Sequence, residues 1–366
     1  MHDPNDHHRP LRVGSLFSGY GGLDLAVEHV FDAETIWFSE INEPVARVFA
    51  HHWPEAPDLG DITTIDWNLV PPVDVLCGGF PCQDVSTVGK RAGLAPGTRS
   101  GLWSHMAEAI GALQPRFVVI ENVRGLLSSP AIRTSLKGDD DEQLNPDPAT
   151  LRNLEPNPWH LGDDATRPLR AAGAVLGDLA DLGMDARWIG LPASLFGAPH
   201  PRFRIFMLAH RQDVVQDTAS NRLHPRRRDA GPGEGQTRDD RAVPPGHRPC
   251  AQRTGWLAEQ ERRLGDAVVT GRGHLHRWGR YAEAIARWEH ITGRPAPAPA
   301  LLSESVGPRP SPEFVEWVMG LPPGWVTAPG HSLTANQQIT TLGNGVLPLQ
   351  ASTALQIAMG SDGTRR

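Results

Sequence analysis

A chain of 366 residues is long enough to bury one large α/β core, alone or with a smaller appended unit. The formal charge of −7, from 35 basic and 42 acidic side chains, gives no chain-wide signature of polyanion binding, so any basic surface has to be local. Cys77, Cys82 and Cys250 form no C-x-x-C pair, which argues against a disulfide framework or a zinc ribbon and fits a reducing cytoplasm. Basic side chains are nearly all arginine, with Lys90 and Lys137 the exceptions, and Pro, Ala and Gly are abundant. No apolar run approaches the length of a membrane span, and the polar start "MHDPNDHHRP" lacks a signal-peptide core, so a soluble cytoplasmic protein is expected.

From 11 to 127, short apolar runs alternate with helix-like segments. "RVGSLF" reads as a strand and "GLDLAVEHVF" as a helix with Leu23, Ala26, Val27 and Val30 on one face. "TIWFSE" and "EPVARVFAHHW", "VDVLCGGF" and "GLWSHMAEAIGAL", then "RFVVIENV" repeat the alternation, which predicts a parallel sheet wrapped by helices. Residues 128–168 are acidic, rich in Pro and Asn and aperiodic, and read as a loop insertion. "LRAAGAVLGDLADLGM" resumes with a helix, followed by the strands "DARWIG" and "RFRIFMLAH". Residues 211–305 carry 16 Arg against 12 Asp and Glu and little periodicity. Beyond them, "SPEFVEWVMGLPPGWV" reads as a short helix with Phe314, Trp317, Val318 and Leu321 inward, and "QQITTLGNGVLPLQASTALQIA" as a turn followed by a helix.

Chemistry concentrates at the expected strand ends. Gly19, Gly21 and Gly22 lie between the first strand and its helix, where glycine lets a ligand reach the helix N-terminus; the spacing is not a clean dinucleotide fingerprint. Glu40, about 20 residues on, stands where a carboxylate can accept from ribose hydroxyls. Asp61, at the next strand end, can meet an adenine amino group or cap a turn. In "CGGFPCQDVS", Cys82 follows two glycines and a proline at the carboxyl end of a buried strand, and a thiol there needs only modest activation to act as a nucleophile; Cys77, inside the strand, reads as buried core. Glu121 and Asn122 end the neighbouring strand, and burial there would raise the Glu121 carboxyl enough for proton donation. Arg202 and Arg204 alternate along a strand, so both can face one pocket, where two guanidiniums call for anions.

In this order, "LFSGYGGLDLA", "FSEIN", "GDIT", "CGGFPCQDVS", "SGLW", "ENVRGLL", "FGAPHPRFRIF" and "LGNGVLP" resemble the DNA (cytosine-5) methyltransferase family across roughly 13 to 350. The resemblance implies a Rossmann-like S-adenosylmethionine methyltransferase fold with a mostly parallel sheet and a smaller target-recognition domain. Residues 11–210 would be the catalytic domain, 211–319 the recognition domain and 320–358 a C-terminal segment returning to the first. It places S-adenosyl-L-methionine over Phe17, Gly19, Gly21 and Gly22, with Glu40 on its ribose, Asp61 and Ile62 at its adenine and Asn344 in the returning segment. Cys82 would attack C6 of a cytosine flipped out of duplex DNA, Glu121 would hold N3 and the exocyclic amine, Arg204 would contact the base carbonyl and Arg202 would order the site. Ser86, Lys90, Arg91 and Arg99 belong to a loop closing on DNA. No metal is implied. The other expectations are a monomer, a bacterial or phage origin and a cognate restriction endonuclease as candidate partner.

The chain departs from the family at His200, where Gln is usual, and at "GNGV"; "RPSPEF" follows the family only loosely. Arg226, Arg227 and Arg228 read either as phosphate contacts or as a solvated run, and Trp278 and Trp288 as core. Competing readings are an RNA (tRNA) cytosine-5 methyltransferase, a catalytically silent DNA-binding protein on the same fold and a nicotinamide-dependent oxidoreductase.

Overall fold

The computed structural model describes residues 9–81, 102–129, 170–211, 250–265, 278–301 and 307–360. Within them, the short apolar runs flanked by turn residues become strands β1 (Leu11–Leu16), β2 (Ala33–Ser39), β3 (Val75–Gly78), β4 (Phe117–Val123), β5 (Met184–Pro192) and β6 (Phe203–Arg211). They form one sheet in the order β2-β1-β3-β4-β6-β5. The pairs β1–β2, β1–β3 and β3–β4 are parallel, while β6 runs antiparallel to both β4 and β5. The mostly parallel α/β sheet expected from the alternation is therefore present, with an antiparallel pair at one end.

This topology positions the site. The chain leaves β1 toward β2 on one side and returns to β3 on the other, so a crevice opens between the carboxyl ends of β1 and β3, where open α/β sheets bind ligands. Because β6 is antiparallel, its first residues arrive at that same edge, with Arg204 in register with Val123 of β4.

Helices α1 (Gly22–Phe31), α2 (Glu43–His52), α3 (Leu102–Leu113) and α4 (Ala171–Asp181) accompany the strands. Leu23, Ala26 and Val27 of α1 are buried as the apolar stripe requires, yet Asp24 and Glu28 are buried too, because α1 is covered on its second side. The cover is α5 (Cys250–Gly265) together with α9 (Pro348–Ala358). Arg253 of α5 donates from Nε to Glu28 Oε2 at 2.9 Å, and Glu28 Oε1 also accepts from Thr35 N–H and Trp53 Nε1. The Arg253 guanidinium lies 4.9 Å from the Trp53 ring centre.

Helix α6 (Ala282–Thr292) carries Trp288, fully buried as its core reading requires, while Trp278 is half-buried against Phe314. The two-residue strands β7 (Ala300–Leu301) and β8 (Arg309–Pro310) pair and lead into α7 (Pro312–Val318). Ser311 caps α7 by accepting from Phe314 N–H. The inward face of this segment is as expected, with Trp317 and Leu321 buried and Phe314 and Val318 partly buried against the same core, but the helix ends at Val318, so Leu321 lies beyond it. Glu316 takes a buried place as well, its carboxylate accepting from the N–H groups of Gly324, Val326 and Thr327 and from the Thr327 hydroxyl. Four donors fix the turn after α7, which makes a buried acid tolerable.

"QQITTLGN", expected as a turn, is helical. Thr334 and Gln337 close a reciprocal capping box at the start of α8 (Ala335–Asn344), and the chain turns only at Gly345 before α9.

Candidate active site

A pocket open to solvent, with about 370 Å³ of free space at its mouth and interior together, lies at the crevice. It is walled by Phe17, Ser18 and Gly19 after β1, by Gly22 and Asp24 at the start of α1, by Gly78 and Gly79 after β3, by Glu121 of β4 and by Asn344 and Gly345 at the end of α8. Five of the site residues read from sequence, Phe17, Gly19, Gly22, Glu121 and Asn344, thus meet at one cavity although they are spread over more than 300 positions.

The loop after β1 is shaped by backbone geometry. Phe17 has φ 54° and Gly19 φ 57°, so the chain turns sharply out of the strand. Gly22 is required by close approach: a Cβ on it would lie 2.2 Å from the Val346 carbonyl oxygen. The Tyr20 hydroxyl donates to that same carbonyl at 2.5 Å, so the segment joining α8 to α9 is bonded directly to the loop. Gly21 turns a different way: it is the N-cap of α1 at φ 84°, it does not line the pocket, and a Cβ there would strike the Trp53 ring at 2.3 Å.

Glu40 follows β2. Its carboxylate accepts from Gly19 N–H at 3.1 Å and Asn42 N–H at 2.8 Å, which joins the second strand end to the loop, and burial pushes its carboxyl up from the ordinary range. Asp61 caps a short 3-10 turn, Ile62–Thr64, by accepting from the N–H and hydroxyl of Thr63, so the capping reading holds for it in this structure; Ile62 is buried. None of the three belongs to the pocket wall itself.

At the other wall, Glu121 is buried and paired with Arg204, whose Nε lies 2.7 Å from Oε1. A Cβ on Gly79 would approach Glu121 Oε2 to 2.9 Å, so the glycine makes room for the carboxylate. Burial pushes the Glu121 carboxyl up and wins over the pull of Arg204 and Arg202 in the opposite direction. Asn122 donates from Nδ2 to the Phe80 carbonyl at 3.2 Å and anchors the Gly-Phe-Pro turn beside Glu121. That turn ends at Pro81; Cys82, Ser86, Lys90, Arg91 and Arg99 lie outside the described residues, as do Arg226, Arg227, Arg228 and 130–169.

Arg202 corrects one expectation. It precedes β6 rather than lying in it, and its guanidinium donates to the carbonyls of Gly343 at 2.9 Å and Gly345 at 2.5 Å. Only Arg204 meets an anion; Arg202 binds the C-terminal end of α8 and thereby places Asn344. His200 bonds through its ring to the Val318 carbonyl at 3.3 Å, and burial lowers its imidazole to about 4. Sequence reasoning missed Tyr20, Asp24 and Glu316; an acid inside each of the apolar patterns "GLDLAVE" and "EFVEWV" was the available signal.

The site therefore belongs to an α/β protein that opens a pocket at the switch point of its sheet and sets a buried carboxylate–arginine pair beside it. Residues 11–137, about a third of the chain, match the C-5 cytosine-specific DNA methylase family. Among curated relatives, it is similar to the orphan methyltransferase M.SPRI of Bacillus phage SPR, 39% identical over 121 residues that make up 32% of this chain and 27% of the relative. It is also similar to the type II methyltransferases M.NgoFVII (38% over 127 residues, 34% of this chain and 33% of the relative) and M.NgoBV (29% over 203 residues, 54% and 40%) of Neisseria gonorrhoeae. The chain thus spans about a quarter to two fifths of the length of these relatives. In fold, it matches the crystal structure of the S. pombe Dnmt2 methyltransferase with TM-score 0.50 at 14% identity, over 96% of this chain and 99% of that one. Among the described residues, no helix is long and apolar enough to cross a membrane.

Proposed function

We propose that this protein transfers a methyl group from S-adenosylmethionine to C5 of cytosine in duplex DNA, with Cys82 as nucleophile. The observation that carries the reading is the buried Glu121–Arg204 pair against the turn that leads into Cys82, on the rim of a glycine-walled pocket. The pocket suits the methyl donor on its own features: Gly22 and Gly79 leave room that a Cβ would fill, Asn344 offers a polar side chain on its wall, and Glu40 braces the loop by accepting from Gly19 N–H. When bound, S-adenosylmethionine supplies an electrophilic methyl group.

Cytosine C5 is a poor nucleophile until a group adds at C6, which a stacked base does not present. Extruding the base costs a few kcal/mol, offset by pocket and backbone contacts. The Cys82 thiol gives up its proton to solvent, the thiolate sulfur forms a bond to C6, and the electrons of the C5–C6 double bond are displaced toward C5 and N3. Glu121, its carboxyl raised by burial, donates toward N3 as charge develops there, while Arg204 fixes the carboxyl's orientation and reaches the base carbonyl. After C5 has taken the methyl group, a base removes the C5 proton, and its electron pair re-forms the ring double bond as the Cys82 sulfur leaves. Arg202 holds Asn344 at the donor side. Ser86, Lys90, Arg91 and Arg99 bind the phosphate backbone, and residues 211–319 form the recognition region that reads the bases. A cognate restriction endonuclease accords with the type II relatives, and phage and bacterial relatives with a prokaryotic setting.

The second reading is a tRNA substrate, favoured by the Dnmt2 likeness in fold alone. Both are tested by incubating the protein and its Cys82→Ala variant with labelled S-adenosylmethionine and either duplex DNA or tRNA. Label in DNA from the wild type alone supports the proposal. Label in tRNA and none in DNA favours the second reading, and equal label from both proteins removes Cys82 from the mechanism.

A further inference from the structure

Asp24 stands in the first turn of α1 and lines the pocket, yet the catalytic proposal makes no use of it. Its side chain is 1% exposed, and its polar neighbours are neutral: Cys77 Sγ lies 3.5 Å from Oδ1, and Ser15, itself bonded to Ser18 at 2.8 Å, also donates to it. No cationic side chain pairs with it among the described residues. The charged groups nearby are committed elsewhere. On α1 itself, Glu28 is taken by Arg253 of α5, and His29 by Glu261 of the same helix. On β4, Glu121 is taken by Arg204. From β3 the thiol of Cys77 faces it, and α9, which packs along α1, has no titratable side chain. A buried carboxylate on a cavity wall without a cation is costly, and a positively charged occupant of that cavity offsets the cost.

Resting on the reading of this pocket as the methyl-donor site, we propose that Asp24 is the counter-charge to the positive charge of S-adenosylmethionine, making the site favour the sulfonium donor over its neutral thioether product, S-adenosylhomocysteine. Burial raises the Asp24 carboxyl to about 7, so near neutral pH it is divided between acid and carboxylate. A cation in the pocket favours the carboxylate, and binding of the donor releases a proton. Linkage sets the sign: affinity for the donor increases as pH rises through 7. If the bound cation lowers the Asp24 carboxyl by one unit, the increase between pH 6 and 8 is about fivefold.

The test is isothermal titration of the full chain with S-adenosylmethionine and with S-adenosylhomocysteine at pH 6, 7 and 8, in buffers of different ionisation enthalpy. The wild type should show the donor-to-product affinity ratio rising about fivefold from pH 6 to 8, with proton release on binding the donor. Asp24→Asn should remove most of that rise and of that proton release; the remainder belongs to the donor's own amine. A ratio flat within twofold in wild type, or the same slope in wild type and Asp24→Asn, overturns the proposal while leaving the donor site standing. Should Asp24→Asn not fold, the wild-type slope and proton count decide alone. Failure of the wild type to bind either molecule overturns the parent reading and this one with it.

Discussion

The ion pair between Glu28 and Arg253 joins the helix that follows the β1 loop to a helix from the span proposed for target recognition. The Glu28 side chain is fully buried and that of Arg253 is 7% exposed. Arg253→Met keeps much of the side chain's bulk but leaves the buried Glu28 carboxylate, which also accepts from Thr35 N–H and Trp53 Nε1, without its guanidinium. Removing one partner of a buried pair costs about 3–5 kcal/mol, and lost stacking on Trp53 adds ~0.5–1 kcal/mol. Glu28→Gln still offers an oxygen to Thr35 and Trp53 but strands the guanidinium, so it too is costly. The double variant Glu28→Gln/Arg253→Met leaves no unpaired charge and should cost at least ~2 kcal/mol less than the sum of the single changes. Equilibrium urea unfolding of the four proteins, read as midpoint shifts at constant slope, measures this cycle. A loss below about 1 kcal/mol for Arg253→Met, or strict additivity, would refute the view that this pair seats α5 on α1.

Burial holds the His52 imidazole near 3, well below its usual 6.5, against the ring of Trp325. The unfolded chain takes up a proton in this window that the folded chain refuses, so stability should fall as pH drops from about 6.5. The loss should reach about 1–2 kcal/mol by pH 5, and His52→Gln should flatten the urea-midpoint profile over that range. Gly22→Ala drives a methyl group against the Val346 carbonyl and should cost ~1–3 kcal/mol while weakening S-adenosylmethionine binding at least tenfold in titration calorimetry. On the proposed mechanism, Glu121→Gln leaves the base without its proton donor and should slow single-turnover methyl transfer by about 10²-fold or more, with donor binding little changed.

Much of the catalytic half was legible because its signals are local. The strand-and-helix alternation, the glycines after β1 and the Glu121 strand end are each encoded within a few residues, and the parallel order follows from their spacing. Contacts spanning hundreds of positions were not legible. The Arg202/Arg204 alternation suggests anions for both guanidiniums, but the partners of Arg202 are carbonyls some 140 residues away, and no sequence pattern announces a guanidinium satisfied by backbone. Helix α8 looks like a turn in sequence because Gly343 and Gly345 dominate its end, whereas the Thr334–Gln337 capping box that starts it is the signal for a helix. Asp24, Glu28 and Glu316 sit in apolar patterns where an acid looks solvent-facing, and only the second packed layer over α1 and the turn after α7 make them buried.

The central proposal is a sulfur–carbon bond between Cys82 and cytosine C6. Duplex DNA carrying 5-fluorocytosine at the target, incubated with S-adenosylmethionine, blocks the final proton removal, because fluorine cannot leave as a cation. Denaturing electrophoresis followed by peptide mass analysis should then show a stable protein–DNA species joined at Cys82. A preparation that methylates ordinary duplex DNA yet forms no such species, or forms it at another residue, would contradict the mechanism.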